Sequence, residues 1–314
     1  MTSALWEQHC CLPLSANADL GALAAYGPGF VSVNVGYALH DKAHVLGVID
    51  HFTRGIAKDD RLVPADSWNA VDAAVANGKT AVAFDLEDSR PLDGDPANIE
   101  LFYLLGVRTL LPSYNFVNAA GSGCLDAVDR GLTAYGRELV TEMNRVGMVV
   151  DGSHCSTKTG LQLSEASASP MVYSHSCMRA VWEHERNITD EQAIACAETG
   201  GVVGITGVGI FLGPNEATVD AMIRHIDYAV DLIGIDHVGV ASDYPFDYED
   251  FRAEMLSNPQ VFPEPYTRYG PIDFVAPSLM LQLHDALAAH GYPDEAVHKI
   301  LWANFARIAA AVWR

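Results

Sequence analysis

The sequence predicts one α/β domain over residues 1–314, folded as a (β/α)8 TIM-like barrel. Three observations predict it. Eight short apolar runs alternate with stretches of helical spacing. Most of those runs end on a polar or ionisable residue, where a barrel places its chemistry. The first run leads into HCCLPLSANADL, which is not the Gly-rich loop that an open nucleotide-binding sheet carries at its first βα turn.

The predicted strands are Ala4–His9, Phe30–Val35, Thr80–Glu87, Val107–Tyr114, Met148–His154, Met171–His175, Gly201–Thr206 and His237–Asp243. Their terminal residues include His9, Glu87, Tyr114, His154, His175 and Asp243. Helices are predicted between them. Leu132–Arg145 places Leu139, Val140 and Met143 on one face. Thr157–Ala168 ends before Pro170. Asp190–Glu198 follows Thr189, a good N-cap, and stops at Gly200-Gly201. Ala217–Leu232 carries apolar residues at helical spacing, and Pro293 starts a final helix through Val312. Residues 244–277, rich in proline and tyrosine, form an irregular region after the last strand. It is expected to be a lid or pocket wall, the alternative being a loop that packs against a partner subunit.

Composition narrows the partners. Forty acidic against 19 basic residues give a net charge of -21, which argues against nucleic acid and anionic membranes. No apolar run reaches the length of a membrane-spanning helix. The N-terminal MTSALWEQHCCLPL lacks a basic segment followed by an apolar one, so no secretory signal is expected. Cys10, Cys11, Cys124, Cys155, Cys177 and Cys196 show no zinc-ribbon spacing. Reduced thiols and a cytoplasmic location are the expectation.

The stretch Gly147–His175 concentrates the candidate chemistry. MVVDGSH and MVYSH are apolar runs that each close on a histidine, with a helix between. Parallel neighbouring strands would aim both imidazoles into one crevice, and neutral imidazole is the commonest metal-ligand side chain. His9 adds a third nitrogen and Glu87, closing AVAFDLE, adds a carboxylate. A carboxylate ending an apolar strand needs a cation or hydrogen bonds, and bridging two divalent ions would satisfy Glu87. Such ions generate a hydroxide and polarise a carbonyl. Asp243, in GVASDYPFD, could shuttle the proton to a leaving amine; its alternative is a cap or loop hydrogen-bonder. Arg186 could clamp a substrate carboxylate, or form a surface ion pair with Glu183 or Asp190. The remaining histidines are left structural.

Taken together these motifs resemble the membrane (renal) dipeptidase family, binuclear zinc peptidases of the amidohydrolase-like barrel group. His9-Cys10-Cys11-Leu12-Pro13 is similar to its opening His-x-Asp motif, and Glu87 to its bridging glutamate. Asp151-Gly152-Ser153-His154 and Ser174-His175-Ser176 are similar to its two later histidine motifs. Arg186-Asn187 matches its substrate-binding arginine, and Asp243, after Asp236-His237-Val238-Gly239, its catalytic aspartate. The resemblance implies one or two zinc ions held by His9, Cys11, Glu87, His154 and His175. It implies catalysis by Asp243 and Glu87, with Tyr114, Arg186 and His154 binding a dipeptide or N-acyl amino acid. It also implies a homodimer.

Two residues depart from the family pattern. Cys11 stands where the family has aspartate, so it either supplies a thiolate ligand or leaves that metal position weak. Tyr114 stands where many members carry a histidine that contacts the reacting carbonyl; its hydroxyl can still donate one hydrogen bond. Asp88, where glycine is frequent, is expected to narrow the pocket or add charge. The expected activity is metal-dependent hydrolysis of a dipeptide-like amide by a metal-bound hydroxide. The alternatives are a non-catalytic or altered-specificity relative that binds a small amino-acid-like ligand, and another hydrolase, such as a lactamase or deaminase, on the same scaffold.

Overall fold

The computed structural model describes residues 4–314; the first three residues of the N-terminal stretch read for a signal lie outside them. The fold is α/β, built on two parallel sheets. Nine strands occur in chain order: β1 (Leu5–Cys10), β2 (Gly29–Tyr37), β3 (Leu62–Pro64), β4 (Thr80–Glu87), β5 (Val107–Leu110), β6 (Val149–Val150), β7 (Val172–Ser176), β8 (Val202–Thr206) and β9 (Val238–Ala241). The larger sheet runs β1-β2-β4-β5-β6, with β3 paired to the start of β4. The smaller runs β7-β8-β9. At one seam Asp151 pairs in parallel with Val172. At the other, the Cys11 N–H donates to the Tyr244 carbonyl at 3.0 Å and the Asp243 N–H to the His9 carbonyl at 2.9 Å.

All eight predicted runs contain strand, and β3 is additional. Val107–Tyr114 and Met148–His154 are shorter as strands than predicted, because their ends turn out of the ladder to present site residues. Region 244–277 is less irregular than expected, since it contains helices Tyr248–Ser257 and Glu264–Thr267.

Local chemistry sets the helices between strands. Thr189 and Gln192 form a capping box ahead of helix Asp190–Glu198. Ser156 caps Thr157–Ala166, Thr133 caps Ala134–Val146 and Thr218 caps Val219–Ile233. Helix Asn304–Val312 packs with Trp6, Phe30, Val149, Val172 and Val202 in a second apolar cluster toward the starts of the strands. Trp6 stacks on Phe30 with ring centroids 3.9 Å apart. Two glycines make room for Phe305 of this helix. A Cβ at Gly239 would lie 2.3 Å from the Phe305 ring and one at Gly204 would lie 3.0 Å from it. Covering the strand starts leaves the strand ends free to form a cleft. No helix among the described residues is long and apolar enough to cross a membrane.

Candidate metal centre and substrate cleft

Six predicted site residues converge where the strands end. His9 is the penultimate residue of β1, Glu87 closes β4, and His175 lies in β7. His154 follows β6 and Asp243 follows β9, both with left-handed backbone, at φ 61° and 55°. That conformation costs energy for a side chain with a Cβ and persists only where surrounding structure fixes it. Here it turns each side chain inward. Cys11, just beyond β1, completes the group.

The atoms form two triangles. In the first, His9 Nε2 lies 3.7 Å from Cys11 Sγ and 3.5 Å from Asp243 Oδ1, and the sulfur lies 3.8 Å from Asp243 Oδ1. In the second, Glu87 Oε1 lies 3.3 Å from His154 Nε2 and 3.2 Å from His175 Nε2, and the two nitrogens are 3.0 Å apart. Glu87 Oε1 joins the triangles, 3.6 Å from His9 Nε2. Potential ligands also group as His9, His175 and Asp243, all mutually within 4.8 Å.

Outer contacts fix the histidine tautomers. His9 Nδ1 faces Asp85 Oδ1 at 3.0 Å, and Asp85 Oδ2 accepts from Ser32 Oγ at 2.6 Å. His154 Nδ1 faces Asn115 Oδ1 at 2.7 Å. His175 Nδ1 meets Ser174 Oγ at 2.7 Å, and that hydroxyl in turn donates to Asp151. Each Nδ1 therefore carries the proton, and each Nε2 lone pair points into the centre.

Glu87 Oε1 and the Nε2 lone pairs of His154 and His175 thus sit 3.0–3.3 Å apart. A single carboxyl proton on Glu87 cannot relieve both nitrogens. A cation would. Ligand atoms around one tetrahedral ion, with bonds of about 2.0–2.3 Å, lie about 3.3–3.8 Å apart. The first triangle falls in that range, and the second lies at or just below its short end. The donor set therefore fits a divalent cation.

Without an ion the centre balances charge by protonation. Burial raises the Glu87 carboxyl to about 8 and the Cys11 thiol to about 12. Burial pulls His9 down, but Asp85, Glu87 and Cys11 outweigh it and leave its pKa raised. Burial, together with the charges of Arg186 and His9, holds His154 and His175 low. A divalent ion would reverse the order, ionising the carboxylate and thiol while the imidazoles stay neutral.

Arg186 makes no surface ion pair with Glu183 or Asp190. It is 2 % exposed, and it donates to the His175 carbonyl at 2.8 Å and to Ser176 Oγ at 3.0 Å. Its Nε–H has no partner. The Tyr114 ring stacks on His154 at 4.0 Å and lines the cleft. Asp88 neither narrows the cleft nor adds charge to it: its carboxylate turns away to accept from the Tyr114 N–H at 2.9 Å and from Asn118 Nδ2.

Sequence reasoning missed Asp85, Asn34 and Asn115. Asp85 stands two residues before Glu87 on one strand, so alternation alone puts both on one face. Asn34 Nδ2 donates to Glu87 Oε2 at 2.9 Å. Asn115 Oδ1 also accepts from the Tyr266 hydroxyl at 3.0 Å, which joins His154 to the segment after β9. No sequence signal marks Asn115, because its left-handed backbone, at φ 57°, appears only in three dimensions.

Residues 24–264 match the family described as membrane dipeptidase (peptidase family M19). The chain is 28% identical over 246 residues to an uncharacterized protein in the pqqA 5' region of Klebsiella pneumoniae, covering 74% of this chain and 83% of that one. Fungal relatives named as dipeptidases are matched over only 44–46% of their own length. Among solved structures, an amidohydrolase from Pseudomonas aeruginosa superposes with a TM-score of 0.91 at 26% identity, covering 99% of this chain and 97% of that one. A metallo peptidase from Rhodobacter sphaeroides, liganded with a phosphinate mimic of L-Ala-D-Ala, shares the fold at a TM-score of 0.81 and 21% identity, with both chains fully covered.

Proposed function

The chain belongs to the membrane dipeptidase family, M19, and on that premise we propose that it is a zinc-dependent hydrolase of dipeptides or closely related N-acyl amino acids. The observation that carries this is the buried cluster of Glu87, His154 and His175, in which two imidazole lone pairs face each other 3.0 Å apart. The Rhodobacter relative's ligand, a phosphinate dipeptide mimic, supports the substrate class.

The residues divide the work. His9, Glu87, His154 and His175, with Cys11 as a further candidate, would hold one or two zinc ions. When bound, the ions lower the pKa of water and polarise the scissile carbonyl. Asp243, a corner of the first triangle, takes the proton and delivers it to the leaving amine. Arg186 keeps three N–H donors free, two of its five being used by His175 and Ser176. It is the anchor for the substrate carboxylate. Tyr114 and His154 flank the carbonyl, and the tyrosine hydroxyl donates to the developing oxyanion.

We read the two sheets as one closed (β/α)8 barrel forming a single domain; the bridges at both seams support this. A cytoplasmic location and a homodimer complete the reading.

Metal content and turnover test it together. Protein purified without chelator should carry about two zinc ions per chain and hydrolyse a simple dipeptide. Cys11→Ala should carry about one. Wild-type protein that takes up zinc yet turns over no dipeptide or N-acyl amino acid would favour the non-catalytic alternative. Protein that takes up no divalent ion would overturn the metal centre.

A further inference from the structure

A second cavity lies directly beside the metal cleft. The cleft encloses about 770 Å³ and has Glu87, His154 and Asp243 in its wall. The neighbouring cavity encloses about 1070 Å³ and opens to solvent between the turn after β4 and the segment Phe116–Ala119. No residue of the metal centre lines it. Among the described residues, Tyr114 alone borders both spaces.

Two other segments straddle the same boundary. Tyr37 lines the cleft and Ala38 the second cavity. Phe262 lines the cleft and Val261 the second cavity. The three aromatic rings at this boundary pack on one another. Tyr114 lies 5.1 Å from Tyr37 and 6.3 Å from Phe262, and Tyr37 lies 6.1 Å from Phe262, between ring centroids. All three are buried. Together they form a wall between the two spaces.

Polar contacts hold the wall at each corner. The Tyr114 N–H donates to Asp88 Oδ2 at 2.9 Å. Asn115 Nδ2 donates to the Val261 carbonyl at 3.2 Å, which ties Phe262 to the segment that carries Tyr114. The Tyr37 N–H donates to His40 Nδ1 at 3.3 Å. On the cleft side the Tyr114 ring stacks on His154 at 4.0 Å. Rings packed face to face and fixed at their backbones cannot give way to a bulky group without losing these contacts.

We propose that Tyr114, with Tyr37 and Phe262, is a partition that ends the cleft and confines the substrate to two residues. Because Tyr114 stacks on a metal-ligand candidate, the wall stands one side chain from the metal centre. A third residue directed past it would clash with the three rings, and such a clash discriminates against the longer substrate. The space behind the wall is larger than the cleft, so removing one ring gives that residue somewhere to go.

This inference rests on the dipeptidase reading, and the experiment keeps the two apart. Zinc-loaded wild-type protein, Tyr114→Ala, Tyr114→Phe and Phe262→Ala are each assayed with Ala-Ala and Ala-Ala-Ala. We expect wild-type kcat/KM for the tripeptide to lie at least about 100-fold below that for the dipeptide. Tyr114→Phe keeps the ring and loses the hydroxyl, so both substrates should slow together and the gap should persist. Tyr114→Ala should narrow the gap at least about tenfold relative to Tyr114→Phe. Phe262→Ala should also narrow it, and it tests the same wall should Tyr114→Ala not fold. Equal wild-type rates for the two peptides, or a gap that survives both alanine substitutions, would overturn the partition and leave the dipeptidase reading intact. If neither peptide turns over, that reading fails, and binding of the same two peptides is measured by calorimetry. Tripeptide affinity gained in the alanine variants then supports the partition, and no gain overturns it.

Discussion

Replacing Arg186 by methionine keeps much of the side chain's volume and removes the charge. Five guanidinium N–H groups are available, and the protein uses two, to the His175 carbonyl and Ser176 Oγ. A carboxylate accepting two of the remaining three gains two charge-assisted hydrogen bonds, each about 1.5–3 kcal/mol. Their loss, about 3–6 kcal/mol in all, predicts a drop in kcat/KM of about 10²–10⁴ for a dipeptide with a free carboxylate. The substitution also releases the His175 backbone, so a fall in activity alone would not separate anchoring from positioning. The assay therefore compares each dipeptide with its carboxamide. Wild-type protein should prefer the acid by two or more orders of magnitude, and Arg186→Met should bring the two within about tenfold. Arg186→Lys, which keeps charge but not the planar fork, should fall between. If Arg186→Met retained the full preference for the acid, the anchor would lie elsewhere and Arg186 would only support His175.

Two further predictions follow from groups around the centre. Asn115→Ala removes the acceptor that orients His154 and also contacts Tyr266; zinc affinity should weaken about 10–100-fold, measured by competition with a chromophoric chelator, and an unchanged affinity would contradict the orienting role. His184 and His225 are both held near pKa 4 by burial, each accepting a backbone N–H at Nδ1, from Arg186 and Met178. Because their folded pKa lies below the unfolded value, their stabilisation is present above about pH 6.5 and is lost as pH falls through 4, at most about 3 kcal/mol each. Melting temperature should drop across that window, less steeply in His225→Gln; an identical slope in the variant would remove His225 from the account.

Much of this was legible in the sequence, for a physical reason. Strand ends in a parallel α/β fold carry the functional side chains. An apolar run closing on a histidine or glutamate therefore marks both a strand and a site residue, as with His9, Glu87 and His175. Thr189 with Gln192 announced a helix start because a cap is a local interaction among four residues. Asp85 was also there to be read, by alternation from Glu87. Other features depend on distant segments and could not be read. Asn115 reaches His154 only because the chain after β5 turns through a left-handed residue. Arg186 could have been a surface ion pair until folding buried it against the His175 carbonyl, where its charge has no carboxylate partner. Asp88 looked like a pocket residue, yet the turn after β4 aims it at the Tyr114 backbone. The sequence by itself determined which residue types close the strands, because periodicity and capping act over a few residues. Only the tertiary structure decided which lone pairs face one another and which charges go unpaired, because those are distances between segments far apart along the chain.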